Sequence, residues 1–110
     1  MKVCIPTKGE MPNATVDSTF GRCKYLLFAD TESGVIYQHK NRHREANSGV
    51  GTQVAQMVVA EGVEAVISQE IGPKAQKVLQ AGNVEGYHAE KAQVQDVLDL
   101  LKQGKLEPLY

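Results

Sequence analysis

The chain has 110 residues, of which 42% are hydrophobic and 23% are charged, and its formal net charge is −1. This length predicts one domain over residues 1–110 with a single core, and the near-neutral charge argues against nucleic acid or a membrane surface as a partner. No apolar run approaches the roughly 20 residues that cross a bilayer, and Pro6 interrupts the start too early for a signal peptide. We therefore expect a cytoplasmic protein.

The first half of the chain predicts three strands. A short strand covers residues 2–5 and ends at Pro6, and residues 7–14 predict a turn or tight hairpin because they contain glycine, proline and asparagine. Residues 24–30 are a nearly continuous apolar run of strand length, and residues 35–39 return after a turn at residues 30–34. These last two runs predict an antiparallel hairpin.

The second half alternates predicted helices and strands. A polar loop at 40–51 precedes a helix over about 52–61, with Gly62 at the position of a left-handed C-cap. A strand at 64–68 leads into a second helix that begins with Gly72 as N-cap and Pro73 as the first helical residue, and that ends at about residue 81. A strand at 84–88 and a strongly amphipathic helix over about 92–103 complete the chain.

This order of elements predicts an α/β fold. Alternating strands and helices favour parallel pairing with right-handed crossovers, whereas the early hairpin adds an antiparallel member. The result is a mixed sheet of about five strands with one antiparallel strand, and about three helices packed on its faces.

Ligands of open α/β sheets bind beyond the carboxyl ends of the parallel strands. Three loops are expected to meet there, at residues 7–22, 40–51 and 69–72. Two of these loops lead into helix N-termini, where free backbone N–H groups and a partial positive charge favour anions. Gly72 begins one of these helices.

The loop at 40–51 is basic in a chain that is otherwise slightly acidic. Gly49 and Gly51 in the same loop allow a close backbone approach to a ligand, although neither a P-loop nor a dinucleotide-binding motif is present. A solvated basic loop before a glycine-capped helix is the alternative interpretation. The clustered basic side chains at and just before this loop are His39, Lys40, Arg42, His43 and Arg44.

Asp17 and Arg22 flank a Phe-Gly corner. Arg22 is a candidate clamp for an anion, or else one partner of an internal ion pair. For Asp17 and Phe20 the favoured roles are structural, with Asp17 either in an internal ion pair or capping a turn, and Phe20 in the core.

Five side chains could ligate a soft or borderline metal: Cys4, Cys23, His39, His43 and His88. Cys23 beside the Phe-Gly-Arg corner and His43 in the basic loop are the better candidates, because Cys4 lies within a predicted strand and the other histidines lie at strand ends. Neither a CxxC pair nor a four-ligand zinc pattern occurs, so a tightly chelated single metal is not expected.

The sequence offers no set of acid, base and nucleophile. The serines lack a nucleophile-elbow context, and a third acidic residue for a two-metal phosphoryl-transfer site is missing. We therefore expect a binding protein and not an enzyme.

Short motifs along the whole chain resemble the dinitrogenase iron-molybdenum cofactor biosynthesis family. Each motif is brief, and it is their shared order that carries the resemblance. They are Val16-Asp17, Phe20-Gly21-Arg22, the strand from Tyr25 to Asp30, Asn41, Gly49 with Gly51, Gly62-Val63, Ile71-Gly72-Pro73-Lys74-Ala75, Leu79, Gly82 and Gly104-Lys105-Leu106.

The resemblance implies a ribonuclease H-like motif and a role as carrier, chaperone or insertion accessory. The implied cargo is the iron-molybdenum cofactor, its precursor or another iron-sulfur cluster, bound transiently, and the implied partners are cluster-assembly or recipient proteins. Such clusters are anionic, and the expected binding residues combine helix N-termini with basic groups. The full set is Arg22, Cys23, Arg42, His43, Arg44, Gly49, Gly51 and Gly72, with Cys23 and His43 as metal ligands.

The chain departs from its relatives at two places. Many relatives carry a histidine beside the glycine pair, where this chain has Asn47-Ser48, and small residues or proline after the Phe-Gly-Arg corner, where it has Cys23-Lys24. Two other functions stay open: a regulatory or scaffold module that binds a protein through the basic loop, and, with less support, a metal-dependent phosphoryl-transfer enzyme.

Overall fold

A computed structural model of the protein describes residues 1–45 and 49–110. In these residues seven strands form one mixed sheet, with three helices on its faces. The strands are β1 (Lys2–Lys8), β2 (Thr15–Val16), β3 (Tyr25–Asp30), β4 (Ile36–Lys40), β5 (Ala65–Ser68), β6 (Glu85–His88) and β7 (Glu107–Pro108), and the helices are α1 (Val50–Ala60), α2 (Pro73–Ala81) and α3 (Val94–Lys102).

The strand order across the sheet is β4-β3-β1-β5-β6-β7, and β2 pairs with the end of β1. β1 pairs in parallel with β5, and β5 in parallel with β6, whereas β3 is antiparallel to both β1 and β4. Among the five longer strands only β3 is therefore reversed. The prediction of a mixed sheet with an antiparallel member and three helices is confirmed.

The two faces of the sheet carry separate cores, because side chains alternate along each strand. On β1, Cys4 faces α1 and α2, whereas Val3 and Ile5 face α3. The α1/α2 face buries Leu26 and Phe28 of β3 against the apolar stripes of these two helices. The α3 face is closed by that helix alone, through Val94, Val97 and Leu98.

The predicted strand count was too low. β2 pairs with the end of β1 across the predicted turn or tight hairpin at residues 7–14, and its two residues were too few to be counted as a strand. β7, also two residues long, exists only through pairing with β6 about 20 residues earlier, so no local pattern marks it. β1 also runs past Pro6 to Lys8, where the prediction ended it. The proline is tolerated because the pairing of β1 with β5 covers only Val3 and Cys4, so that no parallel neighbour needs its missing N–H.

The helix boundaries follow the predicted caps closely. Gly62 has φ of +74° just after α1, and α2 begins at Gly72 and Pro73 and is capped by Gly82, as expected. α1 begins at Val50, so Gly51 lies in its first turn and not in the preceding loop. The more specific expectation of a ribonuclease H-like motif stays a prediction.

No helix in residues 1–45 and 49–110 combines the length and the apolar character that crossing a membrane requires.

Candidate functional site

An open cleft of about 530 Å³ lies where α1 and α2 begin. Three segments line it in the described part of the chain: residues 18–22, residues 49–52 and most of residues 70–75. They belong to the three loops that the sequence predicted to meet, and that convergence is confirmed. Arg22, Gly49, Gly51 and Gly72 are the predicted site residues that the fold brings together here.

Among the residues that the structure describes, both helices present N-termini without a side-chain cap to this cleft. α1 starts after Gly49, whose φ of +69° is left-handed, and α2 starts after Gly72 in an extended conformation. Neither cap residue makes a side-chain hydrogen bond, and neither helix has an acidic residue in its first turn. The first N–H groups of a helix have no intrahelical partner, so both ends add partial positive charge to the cleft.

The wall of the cleft depends on a close approach of two backbones, at Gly21 and Gly51. A Cβ atom at Gly21 would lie 2.9 Å from both Cα and N of Gly51. A Cβ at Gly51 would instead meet Cβ of Ala75 at 3.5 Å, an ordinary contact between α1 and α2. Gly21 therefore fixes how near the 18–22 segment comes to the start of α1.

Asn41 fixes the position of this wall of the cleft through hydrogen bonds. Its side-chain nitrogen donates to the carbonyls of Gly21 at 2.7 Å and Cys23 at 3.0 Å, and its side-chain oxygen accepts from the backbone N–H of His43 at 3.0 Å. The residue is 7% exposed. A buried amide that satisfies three backbone groups fixes the 21–23 corner against the segment that follows β4.

Arg22 joins the same two segments from the outside. Its Nη1 donates to the carbonyl of Arg44 at 2.9 Å, and Nε of Arg44 donates to the carbonyl of Arg22 at 3.2 Å. Both side chains are exposed at the surface beside the cleft. Arg22 thus stands at the cleft with its position fixed by Arg44.

The charges at the cleft are mixed but mostly positive. Arg22 and Lys74 contribute cations, Glu70 contributes one carboxylate, and hydroxyl groups come from Ser18, Thr19 and Thr52. With the two helix N-termini, this set provides many hydrogen-bond donors for an anion and one acidic group opposed to it.

Four of the predicted site residues do not line the cleft in the described part of the chain. Arg42, His43 and Arg44 lie beside it in the segment after β4, and Cys23 lies behind the corner. For Arg44 the reason is its contact with Arg22, and for His43 the hydrogen bond to Asn41 fixes its backbone. Asn47 and Ser48, noted above as a departure from the relatives, lie outside the described residues.

The environment of Cys23 does not favour a metal ligand. The side chain is fully buried in the α1/α2 core, and its thiol donates to the carbonyl of Phe20 at 3.3 Å. Burial, with a smaller contribution from the charge of Asp17, raises the pKa of Cys23 to about 12. Metals bind the thiolate, so ligation here would require both an opening of the core and loss of this proton.

The other candidate ligands are dispersed. Cys4 is buried in the middle of β1, and burial raises its pKa. The His39 ring packs edge-on against Phe28 and Tyr37. His88 places Nδ1 3.0 Å from the Gln69 carbonyl and Nε2 3.0 Å from Glu90.

No group of three histidine, cysteine or acidic side chains in residues 1–45 and 49–110 is arranged to hold a metal ion. The cleft therefore fits an anionic group held by N–H donors and cations better than a chelated metal ion.

The structural roles expected for Asp17 and Phe20 are confirmed. Asp17 is buried, and its carboxylate accepts the backbone N–H of Thr19 at 3.1 Å in a tight turn. Phe20 is 3% exposed and belongs to the α1/α2 core. Asp17 therefore fixes the start of the 18–22 segment, and Phe20 fixes its middle.

Sequence reasoning missed several residues of the site. Thr52 and Lys74 occupy the first turns of α1 and α2, and Glu70 precedes α2. Asn41 was noted only for its part in the resemblance. The signal that could have found Thr52 and Lys74 was available, because residues in the first turn of a helix that begins at a binding edge lie next to its N–H groups.

Fold and cleft together define a small α/β protein with an open, cation-lined cleft at two helix N-termini. The chain belongs to the dinitrogenase iron-molybdenum cofactor family, whose model matches residues 1–104. Membership places it with cofactor-associated accessory proteins.

Relatives support the same assignment. An uncharacterized protein of Methanocaldococcus jannaschii is 33% identical over 110 residues, which cover 97% of this chain and 90% of that protein. The NMR structure of a Thermotoga protein of the DUF35 family, described as NifB-like, is 35% identical with a TM-score of 0.84, and the match covers 98% of this chain and 92% of that one.

A third comparison shows the fold alone. The apo form of the orange protein from Desulfovibrio gigas superposes with a TM-score of 0.91 at 20% identity, over 97% of this chain and 91% of that one.

Proposed function

We propose that this protein is a non-enzymatic carrier or chaperone that holds an anionic metal cluster in the cleft between the starts of α1 and α2. The cargo class is the iron-molybdenum cofactor, its precursor or another iron-sulfur cluster. Family membership supplies this class of cargo, and the cleft supplies a place of suitable chemistry.

One observation carries the proposal: two helix N-termini, Arg22 and Lys74 meet at one open cleft. Each helix end contributes about 0.3–1 kcal/mol toward a nearby anion at the surface and up to about 2 kcal/mol in partly buried geometry. Charge-assisted hydrogen bonds from the cations add to this. Several such contacts bind an anion without any covalent bond to the metal.

Open geometry and few ligands suit transient carriage. A closed cage of thiolates would hold a cluster tightly, whereas a cleft with exchangeable donors can accept and release it. The proposed binding residues are Arg22, Gly49, Gly51 and Gly72 at the cleft, with Arg42, His43 and Arg44 at its rim. His43 stays a proposed metal ligand, and the burial of Cys23 counts against its proposed ligation.

The test is anaerobic loading of the purified protein, in parallel, with iron and sulfide and with extracted iron-molybdenum cofactor. Charge-transfer absorbance and metal per chain are the readouts. We expect wild type to take up at least one of the two cargoes. Lys74→Glu places a carboxylate in the cleft and should weaken uptake at least about tenfold, or about 1.4 kcal/mol.

Lys77→Glu is the matched control, because it makes the same charge change at an exposed residue that lies one turn further along the same helix and is not among the described residues that line the cleft. It should load like wild type. His43→Ala and Cys23→Ala, made separately, test the proposed ligands, and we expect a loss of uptake only for His43→Ala. Failure of wild type to bind either cargo, or equal loss in Lys74→Glu and Lys77→Glu, would refute carriage at this cleft.

A further inference from the structure

The edge of the sheet at β4 carries an exposed aromatic and basic surface that, apart from Arg42, the proposed cargo site does not use. We define the β4 strip as Val35, Tyr37, His39, Lys40 and Arg42. Val35 is 57% exposed and Tyr37 is 37% exposed. They are two of the three large hydrophobic side chains exposed in residues 1–45 and 49–110, and their proximity makes this edge an interaction surface.

The aromatic part of the strip is ordered by the core beneath it. Tyr37 stacks on the buried ring of Phe28 with centroids 5.3 Å apart, and His39 packs edge-on against Tyr37 at 5.3 Å. Both rings lie on the α1 side of the sheet, because they alternate with Ile36, which packs into the α3-side core. A rigid, half-exposed tyrosine is the kind of side chain that anchors protein interfaces.

The basic part of the strip, Lys40 and Arg42, forms no ion pair among the described residues. Both side chains are exposed. In a chain of net charge −1, this local excess of positive charge is complementary to an acidic partner and steers its approach.

The backbone of the strip is also available. β4 is the outermost strand on its side of the sheet, and no strand in the described part of the chain pairs with its outer edge. Lys40 lies on the α3 side of this edge, whereas Tyr37 and His39 lie on the other side. A strand added along the edge would therefore meet the aromatic surface with one set of its side chains and Lys40 with the other.

We infer that the β4 strip is a docking site for an acidic, extended segment of another protein, which adds to the sheet as a strand beside β4. Main-chain hydrogen bonds would give affinity, and acidic side chains against Lys40 and Arg42 would give specificity. A protein segment fits better than nucleic acid because the surface joins apolar anchors to few cations. That this partner delivers or accepts cargo rests on the proposed function, whereas the docking does not.

The probes are three: a capped peptide of alternating glutamate and valine, its counterpart of alternating lysine and valine, and a short duplex DNA. Amide NMR spectra of the full chain report where each probe binds. We expect the acidic peptide alone to shift amides of residues 35–42 and of β3, and its affinity to fall with added salt.

Lys40→Glu and Tyr37→Ala should each weaken binding of the acidic peptide at least about fivefold, or about 1 kcal/mol. Tyr37→Phe keeps the ring and should bind like wild type. The Lys40→Glu variant leaves the aromatic packing intact, so it tests the proposal even where Tyr37→Ala folds poorly. Lys40→Glu and Tyr37→Ala should both load cargo like wild type, which distinguishes docking at the β4 strip from carriage at the cleft.

Four outcomes would overturn the inference. The acidic peptide could leave the spectra unchanged at millimolar concentration, the lysine peptide could bind equally well, or the peptide could shift residues of the cleft and not those of β4. Tighter binding of duplex DNA at the same residues would replace a protein partner with nucleic acid.

Discussion

The two faces of the sheet use the starts of their helices in different ways. On the α3 face, the backbone N–H of Val94 donates to the carbonyl of Ala14 at 3.1 Å, and Asp96 lies in the first turn. On the other face, α1 and α2 begin without acidic residues and open onto the cleft. One helix satisfies part of its N-terminal end within the protein, whereas the other two present theirs at the open cleft.

This comparison shows which first-turn residues differ between a helix that begins within the packed protein and one that begins at an open cleft. At the third helical position α3 has Asp96, whereas α1 has Thr52 and α2 has Ala75. The first turns of α1 and α2 therefore contain no acidic side chain that compensates the partial positive charge of their N-termini. Substitutions on the cleft face test this difference between the two faces, and the largest effect is expected at Gly21.

Gly21→Ala should destabilise the cleft face strongly. Its Cβ would meet backbone atoms of Gly51 at 2.9 Å, and forcing such a contact typically costs about 1–3 kcal/mol. Urea unfolding monitored by circular dichroism measures the loss in free energy of unfolding. The control is Gly51→Ala, whose Cβ finds an ordinary contact with Ala75 and replaces a helical glycine, so its stability should hold or rise by up to about 1 kcal/mol.

Equal destabilisation by both alanine substitutions would show that the close approach of the two backbones is not what fixes this wall.

Thr52→Asp gives α1 the acidic first turn that α3 already has. We expect opposite effects on the two properties: stability should rise by about 0.3–1 kcal/mol through the helix end, and cluster uptake should fall at least about tenfold. Unfolding in urea and anaerobic loading measure the two. Gln56→Asp, exposed in the middle of the same helix, should change neither by as much.

A Thr52→Asp protein that loads normally would mean that the N-terminus of α1 takes no part in holding cargo.

The pH dependence of stability should reveal the buried thiol behind the cleft. Burial raises the pKa of Cys23 from its ordinary value of 9.0 to about 12 in the folded protein. The folded state therefore binds this proton more tightly than the unfolded state does. The resulting stability is present below pH 9 and is lost as the pH rises from there toward 12.

Urea unfolding between pH 7 and pH 10.5 should therefore show a steeper decline for wild type than for Cys23→Ala, since the alanine variant has no such proton to lose. The difference in slope isolates Cys23 from Cys4, whose pKa is also raised by burial. Parallel curves would indicate that Cys23 reaches solvent, and would revive it as a metal ligand.

Local patterns predicted much of this fold. Periodicity located all three helices and the five longer strands, and Gly62, Gly72 and Gly82 marked helix ends where the structure has them. These signals succeed because caps and stripes involve residues only a few positions apart. The same reasoning ended β1 too early at Pro6, since whether a missing N–H matters depends on the neighbouring strand.

The candidate site was predicted in outline and not in detail. That helix N-termini would meet at one edge followed from strand direction, and Arg22 and the glycines were found in this way. Clustering of like charges along the sequence was a poorer guide, because Arg42, His43 and Arg44 lie beside the cleft and Cys23 lies behind it. Exposure and contacts decide which of several nearby side chains faces a ligand.

The sequence by itself determined the class of fold, the positions of the main elements and the family, because these depend on periodicity, caps and the order of short motifs. Only the tertiary structure decided that Gly21 presses against Gly51, that Asn41 fixes this corner, and that β7 exists at all. Those features join residues far apart in the chain, and contacts of that kind form only when the whole sheet and its helices are packed.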